Sequence, residues 1–398
     1  MSQFHVSWRY SLPASILLMA PFDVLASLAM DIYLPVVPHM PSELGASPAV
    51  IQLTLSLYLV ILGVGQLVFG PASDQVGRRP VLVGGAVLFS AASFGLAVSS
   101  SAGVFLLLRL LQALGASAAL VATFATVRDV YAQRPEGVTI YGLFSSILAF
   151  VPALGPIAGA LIAGAFGWRA IFIALGAAGL LATVNAIFRW HETRPINAVP
   201  ARGSFWPILY SLAFWTYTLG FSAAMGTFFV FFSTAPRLLI ERAGYSELEF
   251  SISFSTVAVA MIITTRCSRR LIGQLGTARC LTTGMAALMF GAVLLSLGEV
   301  ADQPSLLTFI VPMWIMAIGI VLAVSVTAEG ALSGFEDRAG SAVALYFCAQ
   351  SLIVGFFGTC AVITLRADTV WPLVAYSSGM AAAVLGSWFV LRRRSNMT

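Results

Sequence analysis

Residues 14–38 read ASILLMAPFDVLASLAMDIYLPVVP, an apolar run long enough to cross a bilayer that carries two carboxylates, Asp23 and Asp31. About 20 mainly apolar residues span the hydrocarbon core as a helix. A charged side chain at that depth costs roughly 2.5–3.5 kcal/mol even on the most forgiving scale, so acids placed there face a protein interior or a water-filled cavity. On a helix the two lie ~12 Å apart along the axis and ~80° apart around it, with Ser27 between them on one stripe. The run predicts a spanning helix with Asp23 well inside it and Asp31 near its exit.

The rest of the chain has the same character. Its 398 residues are 59% hydrophobic and 9% charged, against about 25% charged in soluble domains, which excludes a soluble globular class. Apolar segments recur to give twelve expected spans, at 14–37, 50–69, 81–98, 102–126, 140–163, 168–188, 205–232, 250–265, 281–297, 306–328, 341–365 and 372–391. No cleavage site follows the first run, so it is expected to remain as a span. The four cysteines (Cys267, Cys280, Cys348, Cys360) and three histidines (His5, His39, His191) show no metal-ligand spacing. No nucleophile–base pair or phosphate loop emerges either, so an enzyme, a cofactor and a metal are not expected.

Charge sets the orientation. Every basic residue is Arg; with both termini in the cytoplasm, sixteen arginines fall inside and four outside, a strong positive-inside bias, while Arg109 belongs to neither side. The polar, proline-punctuated stretch WHETRPINAVPARGS separates the sixth span from the seventh. The expected organisation is therefore a six-helix bundle at 1–189, a cytoplasmic linker at 190–204 and a second six-helix bundle at 205–398. Between spans two and three lies GPASDQVGRRP (70–80), and between spans eight and nine RRLIGQLGTAR (269–279). A glycine followed by basic residues in matching positions points to an internal duplication. Glu329, at the end of span ten, reads as a hydrated helix-end carboxylate, and Arg392, Arg393 and Arg394 as an anchor to an anionic leaflet.

GPASDQVGRRP resembles the signature loop of the major facilitator superfamily. The resemblance implies an all-α integral membrane protein with twelve helices in two six-helix bundles around a central cavity, and a cytoplasmic gate built on Asp74, Gly77, Arg78 and Arg79. There Asp74 can pair with Arg78 or Arg128 and sit against a helix N-terminus of the other half. LLLRLLQALGASAA (106–119) is similar to the motif in which the embedded Arg109 faces the cavity and couples to protons. A guanidinium at that depth needs a nearby carboxylate, and Asp23 is the expected partner. Gln112 shares its face, in reach of Arg109 or a substrate. In span five, Gly155, Pro156 and Gly159 resemble the motif of drug/proton antiporters, although Val151 and Ala160 stand where glycine is usual; Pro156 is expected to kink the helix and the glycines to admit a neighbour.

A narrower resemblance joins APFDVLASLAMDIYLPVVP, IQLTLSLYLV, LVATFATVRDVYAQRPEGVTIYGLFSSILAFVPALGPIAGALI, FRWHETRP, GTFFVFFSTAPRLLI and GSAVALYFCAQSLIVG to the bacterial florfenicol and chloramphenicol exporters. It implies proton-driven efflux of phenicols across the inner membrane by a monomer, with drug, protons and lipid as partners, no nucleic acid and no cofactor beyond the proton gradient. Asp23, Asp31 and Arg109 are then the proton-coupling candidates. Together with Ser27, Gln112, Tyr58, Phe228, Phe231, Tyr346 and Gln350 they are also the drug-binding candidates, since an aryl drug gains mainly from burial and ring contacts. A broad-range multidrug antiporter and a small-metabolite uptake symporter share the same features.

Overall fold

The computed structural model describes residues 8, 10–131, 134, 136–194, 206–300, 304–335 and 339–395, which are helical apart from short connections. Arg9, Arg202, Arg338 and residues 195–204 of the linker lie outside the described residues. In hydrocarbon every backbone N–H and C=O must be satisfied within the chain, so apolar runs of this length form helices. Among the described residues, eleven helical stretches are long and apolar enough to cross a membrane. One of them, the 54-residue Glu247–Val300, breaks at Gly276 (φ 77°, ψ 163°) into the expected eighth and ninth spans. Side chains such as Leu181, Phe188 and Val300 stand mostly exposed, as suits a face turned to lipid.

The chain forms two compact units, Met1–Pro200 and Ala201–Thr398. In the first, the spans are Leu12–Asp31, Pro48–Val76, Arg78–Val98, Ala102–Tyr131, the pair Glu136–Ala149 and Val151–Phe166, and Trp168–Arg189. Local sequence sets their ends. Pro13 stands in the first turn of the first helix, and Ser47 caps the second through the Val50 N–H with Pro48 at the first position. The first α-helix ends at Asp31, short of the expected residue 37, because Pro35 and Pro38 lack N–H donors; Leu34–His39 winds as a 3-10 helix instead.

Span five also departs from expectation. Pro156 lies inside the helix Val151–Phe166, and the break falls earlier, at Phe150. There Pro152 occupies the first turn of the second helix, where a missing N–H costs least.

In the second unit the seventh span, Leu212–Pro236, starts at the Ser211 cap. The tenth is Val311–Leu332, the eleventh runs from Ala339 to Thr364 through a wider turn at Val354–Gly358, and the twelfth is Trp371–Ser395. Glu329 is exposed one turn before the end of its helix.

Glycine permits a close helix crossing in each unit. A Cβ on Gly85 would come 2.7 Å from the Gly115 carbonyl oxygen, and one on Gly115 2.5 Å from that of Gly85. Gly284 and Gly319 approach each other in the same way, at 2.7 Å in both directions. Eight residues before Gly85 stands Gly77, and eight before Gly284 stands Gly276. Both adopt positive φ with extended ψ, 117° and 155° against 77° and 163°. The Gly/Arg echo in the sequence is thus a repeated backbone geometry, made possible by residues without side chains.

Candidate functional site

Arg109, on the fourth span of the first unit, is 1% exposed. Its Nη1 donates to the Ala29 carbonyl at 3.0 Å and to Gln112 Oε1 at 2.8 Å. Gln112 passes the chain on, donating through Nε2 to Ser93 Oγ at 2.8 Å. The guanidinium lies 5.0 Å from the centroid of Tyr33 and 4.8 Å from that of Tyr58. Tyr58 is itself tied to the first span, its hydroxyl donating to the Ala26 carbonyl at 2.7 Å. Two desolvated cation–π contacts and two charge-assisted hydrogen bonds together offset much of the cost of a buried cation. Arg109 Nε and Nη2 donate to no acceptor among the described residues.

The expected Asp23–Arg109 pair is not formed. Arg109 is level with Ala29, six residues further along the helix than Asp23 and therefore about 9 Å away along the axis. Among the described residues neither Asp23 (4% exposed) nor Asp31 (6% exposed) has a hydrogen bond or an ion pair. Asp31 stands two residues beyond Ala29, within electrostatic reach of Tyr58. Although it ends its helix, it is buried rather than hydrated, because the fifth span covers it. A Cβ on Gly155 would meet Asp31 Cβ at 2.9 Å, and one on Gly159 would collide with the Ile32 carbonyl oxygen. The two glycines form the seat of the end of the first span. Ser27 is half-buried.

The loop between spans two and three holds a compact ion set. Arg78, 2% exposed, pairs with Asp74, donates from Nε to Asp129 Oδ2 at 2.8 Å and from Nη1 to Ser73 Oγ at 2.8 Å. Arg128 is more loosely placed, 3.7 Å from Asp129 and 4.0 Å from Asp74. Arg79 stays out of the set; its Nη2 donates to the Ile187 carbonyl at 2.7 Å, satisfying the C-terminus of the sixth span. Gly77 takes the positive φ that turns the chain between the two spans.

In the second unit the expected lining residues fall into two groups. Tyr346 is buried, donates to Thr327 Oγ1 at 3.0 Å and stacks on Phe221 with centroids 4.8 Å apart. Gln350, one turn on, accepts from Ser351 Oγ at 3.3 Å. Phe231 is fully buried, stacking on Phe254 at 5.0 Å and meeting Phe309 at 5.7 Å. Phe228 is half-buried beside it.

Several residues of these arrangements escape the sequence reading, among them Tyr33, Asp129, Phe221 and Thr327. Phe221 carried a signal, standing two helical turns before Phe228 on one face. Asp129 stood next to the chosen Arg128. Tyr33 and Thr327 carried none.

The chain matches the description Major Facilitator Superfamily over residues 23–359. It is similar to a chloramphenicol resistance protein of Pseudomonas aeruginosa, 52% identical over 391 residues that cover 97% of this chain and 92% of that protein. It is also similar to the multidrug resistance protein MdtL of Shewanella oneidensis, 28% identical over 81% of each chain. Among solved structures, a D-xylose–proton symporter superposes with a TM-score of 0.76 at 16% identity, covering 95% of this chain and 98% of the other, a likeness of fold.

Proposed function

The chain belongs to the major facilitator superfamily, and from that membership we propose that it is a secondary transporter of the bacterial inner membrane that exports phenicol antibiotics in exchange for protons. The similarity to a chloramphenicol resistance protein supports the drug class. One observation supports the mechanism: a buried guanidinium with two nitrogens, Nε and Nη2, unused sits in the same unit as two buried carboxylates without a hydrogen bond or ion pair among the described residues. Nε and Nη2 form the edge of a guanidinium that binds a carboxylate with two parallel hydrogen bonds.

A buried carboxylic acid tolerates this environment while protonated and needs a counter-charge once ionised. Arg109 is that counter-charge. Release of the proton and binding of the drug become linked when the drug displaces or completes the contacts of Arg109, Gln112 and the acids. A proton moving down about 100 mV supplies roughly 2.3 kcal/mol, enough for modest uphill export. Asp74, Arg78, Asp129 and Arg128 hold the gate at the inner end, and the seat formed by Gly155 and Gly159 fixes where Asp31 enters the site. No bound cofactor is required, and a monomer contains every named group.

Purified protein in proteoliposomes is expected to release protons on addition of chloramphenicol and of florfenicol. Asp23→Asn is expected to abolish resistance in cells while the protein still reaches the membrane, and Asp31→Asn to abolish drug-dependent proton release. Full resistance in either variant removes that acid from the mechanism. The similarity to MdtL favours one second reading, a broad-range multidrug antiporter. Transport of an unrelated cationic drug in the same vesicles selects it.

A further inference from the structure

The residues that follow the sixth span do not leave the first unit. Trp190 is 2% exposed and meets the rings of Trp8 and Phe22 edge-on, with centroids 5.6 and 5.9 Å away. Tyr10 stacks on His191 at 5.8 Å and donates its hydroxyl to the Arg189 carbonyl at 2.8 Å. Next comes Glu192, whose carboxylate accepts four backbone N–H groups. Oε1 receives those of Arg78 (2.9 Å), Thr193 (3.0 Å) and Arg194 (2.9 Å), and Oε2 that of Arg79 (3.1 Å).

Arg78 and Arg79 open the helix of the third span. The carboxylate therefore caps that N-terminus, where unpaired N–H groups and the helix dipole favour an anion. The approach depends on Gly77, since a Cβ there would come 2.6 Å from Glu192 Oε2. Two arginines close the clasp, Arg79 on the Ile187 carbonyl and Arg194 on the Gln75 carbonyl. Burial alone raises the Glu192 carboxyl, but the four N–H donors outweigh it and hold the group below its ordinary value of 4.5. At neutral pH the clasp is closed by an anion.

Arg78 belongs to both assemblies. Its backbone N–H is held by Glu192, and its side chain holds Asp74, Asp129 and Ser73. We propose that Glu192 is a positioning residue of the gate, locking the Gly77–Arg78 turn to the segment 190–194 so that the ion set and the start of the connection between the halves move as one piece. This rests on the transport reading given above. All of its hydrogen bonds go to the loop and to its own segment and none to Arg109, Asp23 or Asp31, so Glu192 acts on turnover and leaves drug affinity alone.

Hydrogen exchange of the full chain in nanodiscs tests the clasp without any drug. Glu192→Ala is expected to raise exchange at the Arg78 and Arg79 amides by about tenfold or more, Glu192→Gln by less, because the amide oxygen still accepts. In proteoliposomes, Glu192→Gln is expected to lower the maximal rate of chloramphenicol transport about five- to twentyfold with KM within about twofold of wild type. Glu192→Asp restores most of the rate, and Gly77→Ala, which both crowds Glu192 Oε2 and strains the positive-φ turn, reproduces the loss. Unaltered exchange in Glu192→Ala, or full rate in both Glu192→Gln and Gly77→Ala, overturns the proposal. So does a loss of rate matched by an equal loss of drug binding. If the wild-type chain moves no phenicol, the substrate reading fails, and the exchange data still decide whether Glu192 positions the loop.

Discussion

Arg109→Gln is expected to reduce chloramphenicol-dependent proton release by at least ~100-fold, a loss of about 2.7 kcal/mol, with the protein present in the membrane at normal levels. Glutamine keeps a donor within reach of the fourth span's polar chain but carries no charge. The acids of the first span would then have no cation to ionise against, and they would stay protonated throughout the cycle. Arg109→Lys is expected to fail nearly as badly. A compact ammonium has no planar face to lie between Tyr33 and Tyr58, and it does not present two parallel donors while also bonding Ala29 and Gln112. Proton release measured with a pH-sensitive dye, alongside immunoblots of the membrane fraction, checks both. Wild-type rates in the lysine variant would show that positive charge alone suffices and would remove the guanidinium fork from the mechanism.

Gly159→Val is expected to leave little folded protein in the membrane. A Cβ at Gly159 meets the backbone carbonyl of Ile32, and no side chain stands between the two helices to give way. Overpacking a fitted contact costs about 1–3 kcal/mol and more when backbone must move. Gly155→Ala should behave differently, because the added Cβ meets Asp31 Cβ at 2.9 Å, an overlap far smaller than the one at Gly159 and relieved by a slight shift of the end of the first span. That variant is expected to accumulate in the membrane and to transport poorly, with Asp31 pushed from its seat. Fluorescence-detected size-exclusion profiles separate the outcomes. A monodisperse, abundant Gly159→Val protein would contradict the crossing described here.

The sequence shows which polar groups lie within the spans more clearly than which of them meet. Hydropathy alone gave twelve spans, since a bilayer leaves the backbone few options. The ion pair of Asp74 and Arg78 was legible because they lie four residues apart across the tight turn between two helices. Partnership across helices was not legible. Asp23 was the natural partner for Arg109 by depth, yet the relative slide of the first and fourth spans places Ala29 at the guanidinium instead. Periodicity within each helix carries no information about that slide. Phe231 shows the same limit in the second unit: aromatic spacing marks a face, while its contacts with Phe254 and Phe309 are visible only in the structure. Span five shows a third case, in which two prolines compete to break one helix and position within the turn decides for Pro152.

The matched glycines at 77, 85 and 115 and at 276, 284 and 319 bear on how the two units have come to differ. Their backbones keep the same turn and the same crossing, while the chemistry laid over them has parted company. Around Gly77 each buried or looped arginine has a carboxylate or carbonyl partner; around Gly276, Arg266, Arg269, Arg270 and Arg279 are exposed and pair with no acid among the described residues. The two loops share a backbone turn and differ in what their arginines bind. Grafting the acidic residues of the first loop onto the second would therefore meet a backbone already shaped to accept them.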